Sequence, residues 1–392
     1  MARRLAIAAA MALYFPASLV LYLARIRFLR LVAPNRIGHL TGDVATYVKM
    51  RLMGMRVPRR VVFISPPGVA ANECLLDYWQ RYICVVRSKL WAKLLGPFRR
   101  FPYLVHDTGI LALDETAPYI AVERQWGERP ALLELTAEHR RRGEAWLASV
   151  GVPAGARFIC FHSREAGYSP GDENLHSFRN SSIENYLPAA AALVERGFWC
   201  LRMGDPTMRP IAAGPRIIDY ARHPGRSDWL DVFLCASCRF FIGSASGLVN
   251  LANLFGRPGA TANQAPLSTV LAFGVADLAI PRLLWSEAER RHLRFAEILA
   301  SPAGNFRFTE LYREHGLVPQ ENSAEDIRDL ALEMLERIEG RVLYTAEDEA
   351  RQRRFAGLLR PGHFSYGGVN RVGRDFLRKY AHLLEDGPTP TR

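Results

Sequence analysis

A turn rich in glycine and serine is the part of the sequence best suited to hold an anion. Residues 243–247 read Gly-Ser-Ala-Ser-Gly and join an apolar run at 238–243 to a run with helical spacing at 246–255. A helix N-terminus offers unpaired backbone N–H groups and about half a positive charge, and small residues let a ligand approach the backbone. The turn therefore predicts a phosphate-binding site, for which a diphosphate is the natural ligand.

Two arginines are placed at the ends of other predicted strands. Arg164 comes just after one apolar run, and Arg202 lies near the end of the next. Because neighbouring parallel strands end at one edge of a sheet, we expect both guanidinium groups to fork onto the same phosphate oxygens. The alternative is structural: Ser246 caps its helix, and the arginines pair with Glu165 and Asp205.

Several familiar nucleotide and metal motifs are absent from the sequence. It contains neither Gly-x-Gly-x-x-Gly after a strand nor Gly-x-x-x-x-Gly-Lys-Ser/Thr, which excludes an ordinary dinucleotide site and a P-loop. Ala245 occupies the centre of the 243–247 turn, so this turn is not a nucleophile elbow. Neither His-Glu-x-x-His nor Asp-x-Asp occurs. We therefore expect no metal and no cofactor, with arginine and backbone N–H groups meeting the phosphate charge.

The composition is that of a folded protein with a large core. Hydrophobic residues make up 49% of the 392 residues and charged residues 23%, which excludes a disordered chain and a collagen-like repeat. Six cysteines in a chain of this length favour a reduced protein over a disulfide scaffold. Cys235 and Cys238 lie in an apolar stretch, so packing is favoured over a zinc or redox pair.

Short apolar runs alternate with helical segments in the second half of the chain. The predicted strands there are 157–162, 199–203, 216–219, 238–243 and 259–262, and the predicted helices are 183–196, 227–236 and 246–255. This alternation predicts βα units, a parallel sheet and an α/β fold. The residues Gly-Val-Pro-Ala-Gly at 151–155 break the pattern and mark a domain boundary.

Nearly all of the excess positive charge lies in the first 60 residues. These residues carry eleven basic side chains and one acidic one, and so contribute +10 of the formal net charge of +12. The basic residues flank 5–24, an uncharged segment that is long enough as a helix to cross a bilayer. A membrane anchor or monotopic helix on an anionic membrane surface is favoured over a buried helix or a signal peptide.

The same charge pattern bears on location and on partners. The positive-inside rule places the rest of the chain at the cytoplasmic face of the inner membrane. A nucleic-acid binder spreads its basic residues over a folded face, whereas here they flank an apolar segment, so no nucleic acid is expected as a partner.

Seven segments between residues 155 and 300 together carry a family resemblance. They read Phe-His-Ser-Arg-Glu at 161–165, Phe-Arg-Asn-Ser at 178–181, Ile-Glu-Asn-Tyr at 183–186, Arg-Met-Gly-Asp-Pro at 202–206, Asp-Tyr-Ala at 219–221, Ser-Asp-Trp-Leu-Asp-Val at 227–232 and Phe-Ile-Gly-Ser-Ala-Ser-Gly at 241–247. They resemble a family of bacterial glycosyltransferases encoded with surface-polysaccharide genes. More distantly, they are similar to the fucosyltransferase type of GT-B enzyme, in which a His-x-Arg and a later Ser-x-Ser turn hold the donor diphosphate.

The resemblance implies a GT-B-like α/β fold of two facing Rossmann-like domains with parallel sheets, preceded here by an N-terminal hydrophobic helix. The expected domains are a membrane-associated helix at 1–34, an acceptor domain at 35–150, a nucleotide-sugar domain at 151–320 and a helical extension at 321–392. It also implies a nucleotide-diphosphate sugar as the donor, often bound without metal.

Together, the strand ends and the resemblance give the candidate residues their expected roles. Asp219 and Tyr220 are candidates for contact with the base or the ribose, and Asp205 either orients Arg202 or contacts donor hydroxyls. The residues expected to bind the diphosphate and stabilise the leaving nucleotide are Arg164, Arg202, Ser244, Ser246 and Gly247.

An inverting enzyme also needs a base that takes the proton of the acceptor. Residues 36–43 predict a glycine-lined loop that carries His39 and Asp43, and either of these is a candidate for the base. Glu73 is the reserve candidate, and a plain polar loop is the alternative interpretation of 36–43. A retaining mechanism needs no such base, and the sequence leaves both mechanisms open.

The expected function is the metal-independent transfer of a sugar from a nucleotide-diphosphate donor to a lipid-linked or polysaccharide acceptor in bacterial surface glycan biosynthesis. Two alternatives remain open at this point. One is a nucleotide-sugar epimerase or hydrolase on the same fold, and the other is a non-catalytic scaffold of a polysaccharide assembly complex.

Overall fold

Parallel β-sheets form the centre of both parts of the chain. A computed structural model describes residues 2–107, 116–166, 171, 173–212 and 214–385, with side chains from residue 11 onward. The chain divides into two units, Met1–Ile110 and Leu111–Arg392. Each unit is described separately below.

The first unit contains a four-stranded parallel sheet. Its helices are α1 (Ala2–Leu23), α2 (Ile37–Leu52), α3 (Glu73–Trp79) and α4 (Lys89–Leu95), and its strands are β1 (Ile26–Arg30), β2 (Arg60–Ile64), β3 (Cys84–Val86) and β4 (Val105–Asp107). Two 3₁₀ turns, Gly96–Arg100 and Pro102–Leu104, precede the last strand. The strand order is β3-β2-β1-β4, and every neighbouring pair is parallel.

The second unit contains a seven-stranded parallel sheet and a small antiparallel one. Its strands are β5 (Phe158–His162), β6 (Trp199–Arg202), β7 (Ile217–Ile218), β8 (Phe241–Ser244), β9 (Gly259–Gln264), β10 (Leu278–Pro281), β11 (Leu283–Ser286), β12 (Arg291–His292), β13 (Leu317–Gln320) and β14 (Arg371–Val372). Its helices are α5 (Pro118–Trp126), α6 (Ala137–Ser149), α7 (Glu173–His176), α8 (Leu187–Glu195), α9 (Asp228–Ser237), α10 (Gly247–Leu254), α11 (Phe295–Ala300), α12 (Thr309–Glu314), α13 (Ala324–Ile338), α14 (Ala346–Leu358) and α15 (Arg374–Lys379).

In each parallel sheet, the order in which the chain adds its strands reverses once. In the larger sheet the order is β14-β10-β9-β8-β5-β6-β7. The chain therefore builds outward from β5 through β6 and β7, and then returns to add β8, β9 and β10 on the other side of β5, which is the order of a Rossmann fold. The order in the first unit reverses in the same way between β1 and β4. The predicted α/β fold with parallel sheets is confirmed.

The central strands of the larger sheet form at short segments that are mostly apolar. All five residues of β5 are buried, as expected for a strand covered on both faces. Cys235 and Cys238 are buried and unbridged, in agreement with the predicted packing role.

The N-terminal segment forms the helix α1, which covers nearly the whole of the uncharged segment 5–24. Its residues Met11, Tyr14 and Leu21 pack against the buried cluster around Phe98 in the first unit. Within the described part of the chain, no helix is long and apolar enough to cross a membrane.

The segment predicted as a glycine-lined loop at 36–43 is in fact the start of the helix α2. Helix formation buries Leu40, Val44, Tyr47 and Val48 on one face of this helix. The spacing of these four residues, at i, i+4, i+7 and i+8, stabilises a helix through core packing, which outweighs the low helix propensity of the glycines.

The division into units differs from the boundary expected at 150/151. Helix α6 belongs to the second unit because it packs on α9, where Gly143 lies against the ring of Phe233. The segment 321–392 is not a separate extension either. β14 pairs with β10 at the edge of the seven-stranded sheet, and α13 packs against α8 through buried leucine, isoleucine and methionine side chains.

The contact between α6 and α9 leads to a stability prediction. A Cβ atom added at Gly143 would lie 2.2 Å from Cγ of Phe233, a buried ring. Gly143→Ala should therefore lower the free energy of unfolding by about 1–3 kcal/mol, measured by chemical denaturation. Gly357→Ala is the matched control, because Gly357 also lies in a helix but a Cβ there meets no atom within 4 Å. This control should be neutral, or stabilising by up to about 1 kcal/mol. Equal stability of the two variants would contradict the packing described here.

Candidate active site

Two loops meet where the order of the larger sheet reverses. β5 and β8 are parallel neighbours, with His162 opposite Gly243, so the residues that follow them emerge side by side. The backbone N–H of Arg164 donates to Oγ of Ser244 at 2.8 Å and ties the two loops together. Gly243 is required at this point, because a Cβ atom there would lie 2.8 Å from the carbonyl oxygen of His162. Crevices of this kind, at the carboxyl ends of the strands, are where open α/β sheets bind ligands.

The Gly/Ser turn leads directly into a helix, as predicted. Ser246 is the N-cap of α10, and Gly247 is the first helical residue. Ser246 makes no side-chain capping hydrogen bond, and its Oγ is buried without a hydrogen-bond partner among the described residues. The first N–H groups of a helix have no intrahelical partner. The turn thus combines free amide donors with a hydroxyl group that the helix does not use.

Two arginines lie beside this turn. Nη2 of Arg179 donates to the carbonyl oxygen of Ala245 at 2.6 Å. Nη1 of Arg164 donates to the carbonyl oxygen of His176 at 3.1 Å and to the side-chain oxygen of Asn180. The Arg179 guanidinium is therefore held at the turn, whereas that of Arg164, whose backbone bonds to Ser244, is held by residues 176 and 180. Positive charge in this region favours an anion.

Arg202 is placed differently from Arg164. Its side chain is fully buried, and it donates from Nη2 to Glu165 Oε1 at 2.8 Å and from Nη1 to Asp219 Oδ1 at 3.3 Å. Nη1 also donates to the carbonyl oxygen of Arg209. The structural alternative is thus observed for Glu165, with Asp219 in the place expected for Asp205. A direct contact of Arg202 with phosphate stays a prediction.

The acidic residues near Arg202 already have protein partners. Asp219 Oδ2 accepts from the backbone N–H of Ile211, and Asp205 Oδ1 accepts from the backbone N–H of Thr207 at 2.9 Å. Tyr220 is fully buried and donates its hydroxyl to Asp231 at 2.7 Å. These contacts order the loops after β6 and β7, and roles of Asp205, Asp219 and Tyr220 in binding a ligand stay predictions.

His162 is a buried, uncharged residue at the same edge. Its Nδ1 lies 3.1 Å from the carbonyl oxygen of Met203, so this nitrogen carries the proton and donates it. Burial lowers the pKa of His162 to about 4, and the charge of Arg202 acts in the same direction. The imidazole is therefore neutral near pH 7 and adds no charge to the crevice.

In the first unit, His39 and Asp43 form a hydrogen-bonded pair on α2. They are four residues apart on the same face of the helix, and Nδ1 of His39 lies 3.2 Å from Oδ2 of Asp43. Asp43 is buried, whereas the His39 side chain is 19% exposed. A carboxylate at Nδ1 fixes the tautomer that leaves Nε2 as a lone-pair acceptor. Both residues come from the helix that follows β1, the strand next to the reversal of this sheet.

Glu73 is held in an ion pair. Its Oε1 accepts from the backbone N–H of Gly68 at 2.9 Å, and its Oε2 accepts from Nη2 of Arg87 at 2.9 Å. Both carboxylate oxygens of Glu73 are thus engaged by protein donors. The choice of the base among His39, Asp43 and Glu73 stays a prediction.

Two features of the site were missed at the level of the sequence. Arg179 lies in a segment that carries the family resemblance, but no predicted strand ends there, so strand ends could not point to it. Glu165 was considered only as an alternative partner for an arginine.

Among the residues that the structure describes, no group of three His, Cys, Asp or Glu side chains could hold a metal ion.

Comparisons with known proteins found similarity among solved structures. No family model matches it, and no curated protein matches it. It is similar to a glycosyl transferase family 9 structure from Veillonella parvula DSM 2008, at 12% identity and a TM-score of 0.49, over 80% of this chain and 97% of that one. It is also similar to the E. coli ADP-heptose LPS heptosyltransferase II, at 14% identity and a TM-score of 0.35, over 62% and 86% of the two chains. The E. coli heptosyltransferase WaaC with ADP aligns at 12% identity and a TM-score of 0.33, over 66% and 90%.

The buried imidazole predicts a pH dependence of stability. Its pKa is about 4 in the folded state and about 6.5 when unfolded, so the unfolded state binds the proton first as the pH falls. Stability should therefore be lost between about pH 6.5 and pH 4, by up to about 3 kcal/mol. His162→Gln should remove this loss, measured by urea denaturation across the range.

His382→Gln, at an exposed histidine, is the control and should keep the dependence of the unchanged protein. Burial raises the pKa of Asp231 to about 6. Such buried carboxyls change stability with pH in the opposite direction to His162. They are present in all three proteins, so the difference between the curves isolates His162. Parallel curves for His162→Gln and the unchanged protein would rule out a buried, neutral imidazole.

Proposed function

We propose that the chain is a GT-B-type glycosyltransferase that moves a sugar from a nucleotide-diphosphate donor to a lipid-linked or polysaccharide acceptor. One observation carries the proposal. Two arginines and the N-terminus of a helix converge on a Gly/Ser turn at the reversal of a Rossmann-type sheet. A diphosphate matches this set of donors in charge and in geometry.

The donor diphosphate lies at the 244–247 turn in this proposal. The amides of Ser246 and Gly247 and the hydroxyls of Ser244 and Ser246 donate to phosphate oxygens, and Arg164 adds positive charge. As the glycosidic bond breaks, negative charge grows on the departing diphosphate, and fixed donors stabilise it without reorganising.

Arg202 acts as a positioning residue in this proposal. Its ion pairs hold Glu165, the residue next to Arg164, and Asp219. A buried guanidinium that is already paired orders the loops after β5 and β6, and its removal would leave two carboxylates without their partner.

The acceptor's proton goes to Nε2 of His39. Asp43 accepts from Nδ1, so it fixes the tautomer and stabilises the imidazolium that forms, as the carboxylate does in other His–Asp pairs. A base of this kind supports direct displacement, in which the acceptor oxygen attacks the anomeric carbon with inversion.

The setting we propose is bacterial surface glycan biosynthesis at the cytoplasmic face of the inner membrane. The support is the +10 charge of residues 1–60 beside the uncharged segment 5–24. An acceptor built on a membrane lipid fits an enzyme with such an N-terminal segment.

Removal of Arg164 should weaken donor binding. A charge-assisted hydrogen bond to phosphate contributes about 1.5–3 kcal/mol, so Arg164→Ala should bind nucleoside diphosphate about ten- to a hundred-fold more weakly. The measurement is calorimetric titration with the adenosine, uridine, guanosine and cytidine diphosphates. Arg239→Ala is the matched control, because Arg239 precedes β8 at the opposite end of this strand. Equal affinity of both variants would discard the diphosphate site.

An assay of the unchanged protein with nucleotide sugars distinguishes transfer from the two alternative functions. Nucleotide released from a nucleotide sugar only when an acceptor is present supports transfer. Conversion without an acceptor supports the epimerase or hydrolase, and absence of nucleotide binding supports the scaffold.

Changes at the His–Asp pair should affect the rate rather than donor binding. His39→Gln should lower kcat by about 10²–10⁴-fold, because general base catalysis contributes that much. Asp43→Asn should lower kcat by up to about 10⁴-fold as well, because the amide can hold the ring with its proton on Nε2 and so removes the proton acceptor. Glu73→Gln is the comparison variant. If it abolishes transfer while His39→Gln does not, the base is Glu73.

A further inference from the structure

Helix α4 exposes three large apolar side chains. None of its seven residues is buried. Leu90, Trp91 and Leu94 are 43–65% exposed, whereas Ala92 and Leu95 pack against the cluster around Phe98. At 100° per residue, Leu90 and Leu94 point away from the face that carries Ala92 and Leu95. Trp91 lies at the edge between the two faces.

Helix α1 shows the same arrangement. Its inward face packs on the same cluster, with the rings of Tyr14 and Phe98 4.9 Å apart, and Ser18 hydrogen-bonds to the hydroxyl of Tyr103. The opposite face carries Leu13, Val20 and Leu23, which are 65–78% exposed.

Both helices thus rest on one cluster of the first unit and turn apolar side chains to the outside. The 3₁₀ turn Gly96–Arg100, which contains Phe98, follows α4 directly and contacts α1. Scattered exposed apolar residues are ordinary, but two helices that pack on one cluster and both expose large apolar side chains indicate an interaction surface.

The charges around these helices have one sign. Five basic residues here are exposed and have no ion-pair or hydrogen-bond partner for their side chains among the described residues: Arg25, Lys89, Lys93, Arg99 and Arg100. The sequence has no acidic residue at 1–42 or at 78–106. A surface with exposed leucines, a tryptophan and unpaired basic residues fits an anionic bilayer, because the apolar side chains enter the interface and the cations meet lipid phosphates.

We propose that α1 and α4 together form a monotopic contact with an anionic membrane surface. Leu90, Trp91 and Leu94 enter the headgroup region, and Lys89, Lys93, Arg99 and Arg100 bind lipid phosphates. This adds a second lipid-binding element to the N-terminal helix. The inference does not depend on glycosyl transfer, because vesicle binding is measured without any donor.

The test is co-sedimentation of the full chain with vesicles of phosphatidylcholine and phosphatidylglycerol, compared with phosphatidylcholine alone. Binding should need the anionic lipid and should weaken between ~0.1 M and ~1 M NaCl. The triple variant Leu90→Ser/Trp91→Ser/Leu94→Ser should bind at least about ten-fold more weakly, since its polar side chains gain nothing from entering the apolar interface. Leu343→Ser/Val318→Ser, at exposed apolar residues of the second unit, is the matched control and should bind normally.

A variant without the basic side chains measures the electrostatic contribution to vesicle binding. Lys89→Gln/Lys93→Gln/Arg99→Gln/Arg100→Gln should lose about five-fold in affinity for each charge removed. Arg353→Gln/Arg354→Gln, at exposed arginines of α14, is its control and should keep full affinity.

Two outcomes would overturn the proposal. The first is vesicle binding that survives the triple variant while Leu13→Ser/Val20→Ser/Leu23→Ser abolishes it, which would assign the membrane contact to α1 alone. The second is a chain that ignores vesicles but forms dimers that the α4 variants dissociate, as seen by light scattering. That result would make this surface an interface between two copies. Thermal melting confirms that each variant is folded, as expected for changes at exposed positions.

Discussion

The pairing of β5 with β8 is the contact on which the candidate donor site depends. These strands are far apart in the chain, yet their parallel alignment sets His162 opposite Gly243 and brings the two following loops together. The hydrogen bond from the N–H of Arg164 to Ser244 is possible only in this register. A side chain at Gly243 would push the strands apart, so the crevice depends on the absence of a Cβ atom at this position.

Arg164 and Arg202 lie at the ends of neighbouring strands, but they differ in burial and therefore in their partners. A fully buried guanidinium is stable only if it is paired, and Arg202 meets this requirement through Glu165 and Asp219. Arg164 is less buried, and its guanidinium donates to His176 and Asn180. The network around Arg202 also orders the loop after β6, so it affects the site through the backbone.

The parallel sheet and the meeting of its strand ends could be predicted from the sequence, because fully buried strands appear as short apolar runs between helices. The partners of Arg202 could not, since Glu165 and Asp219 follow different strands and meet it only after the sheet forms. The helix at His39 was missed because Gly38 and Gly42 indicate a loop, whereas burial of the other face of α2 determines the outcome. The packing of α6 on α9, which associates α6 with the second unit, is a tertiary contact with no local signal in the sequence.

The helical conformation of 37–52 changes the chemistry available to this segment. In a loop, His39 and Asp43 would be alternative candidates for one role. On a helix they are four residues apart, stacked on one face, and the carboxylate meets the imidazole. The two candidates therefore form one hydrogen-bonded pair, in which the buried Asp43 holds the ring of the partly exposed His39. The prediction of a loop therefore missed the pairing of His39 with Asp43. The periodicity of the helix explains this pairing, because it places residues four apart on one face.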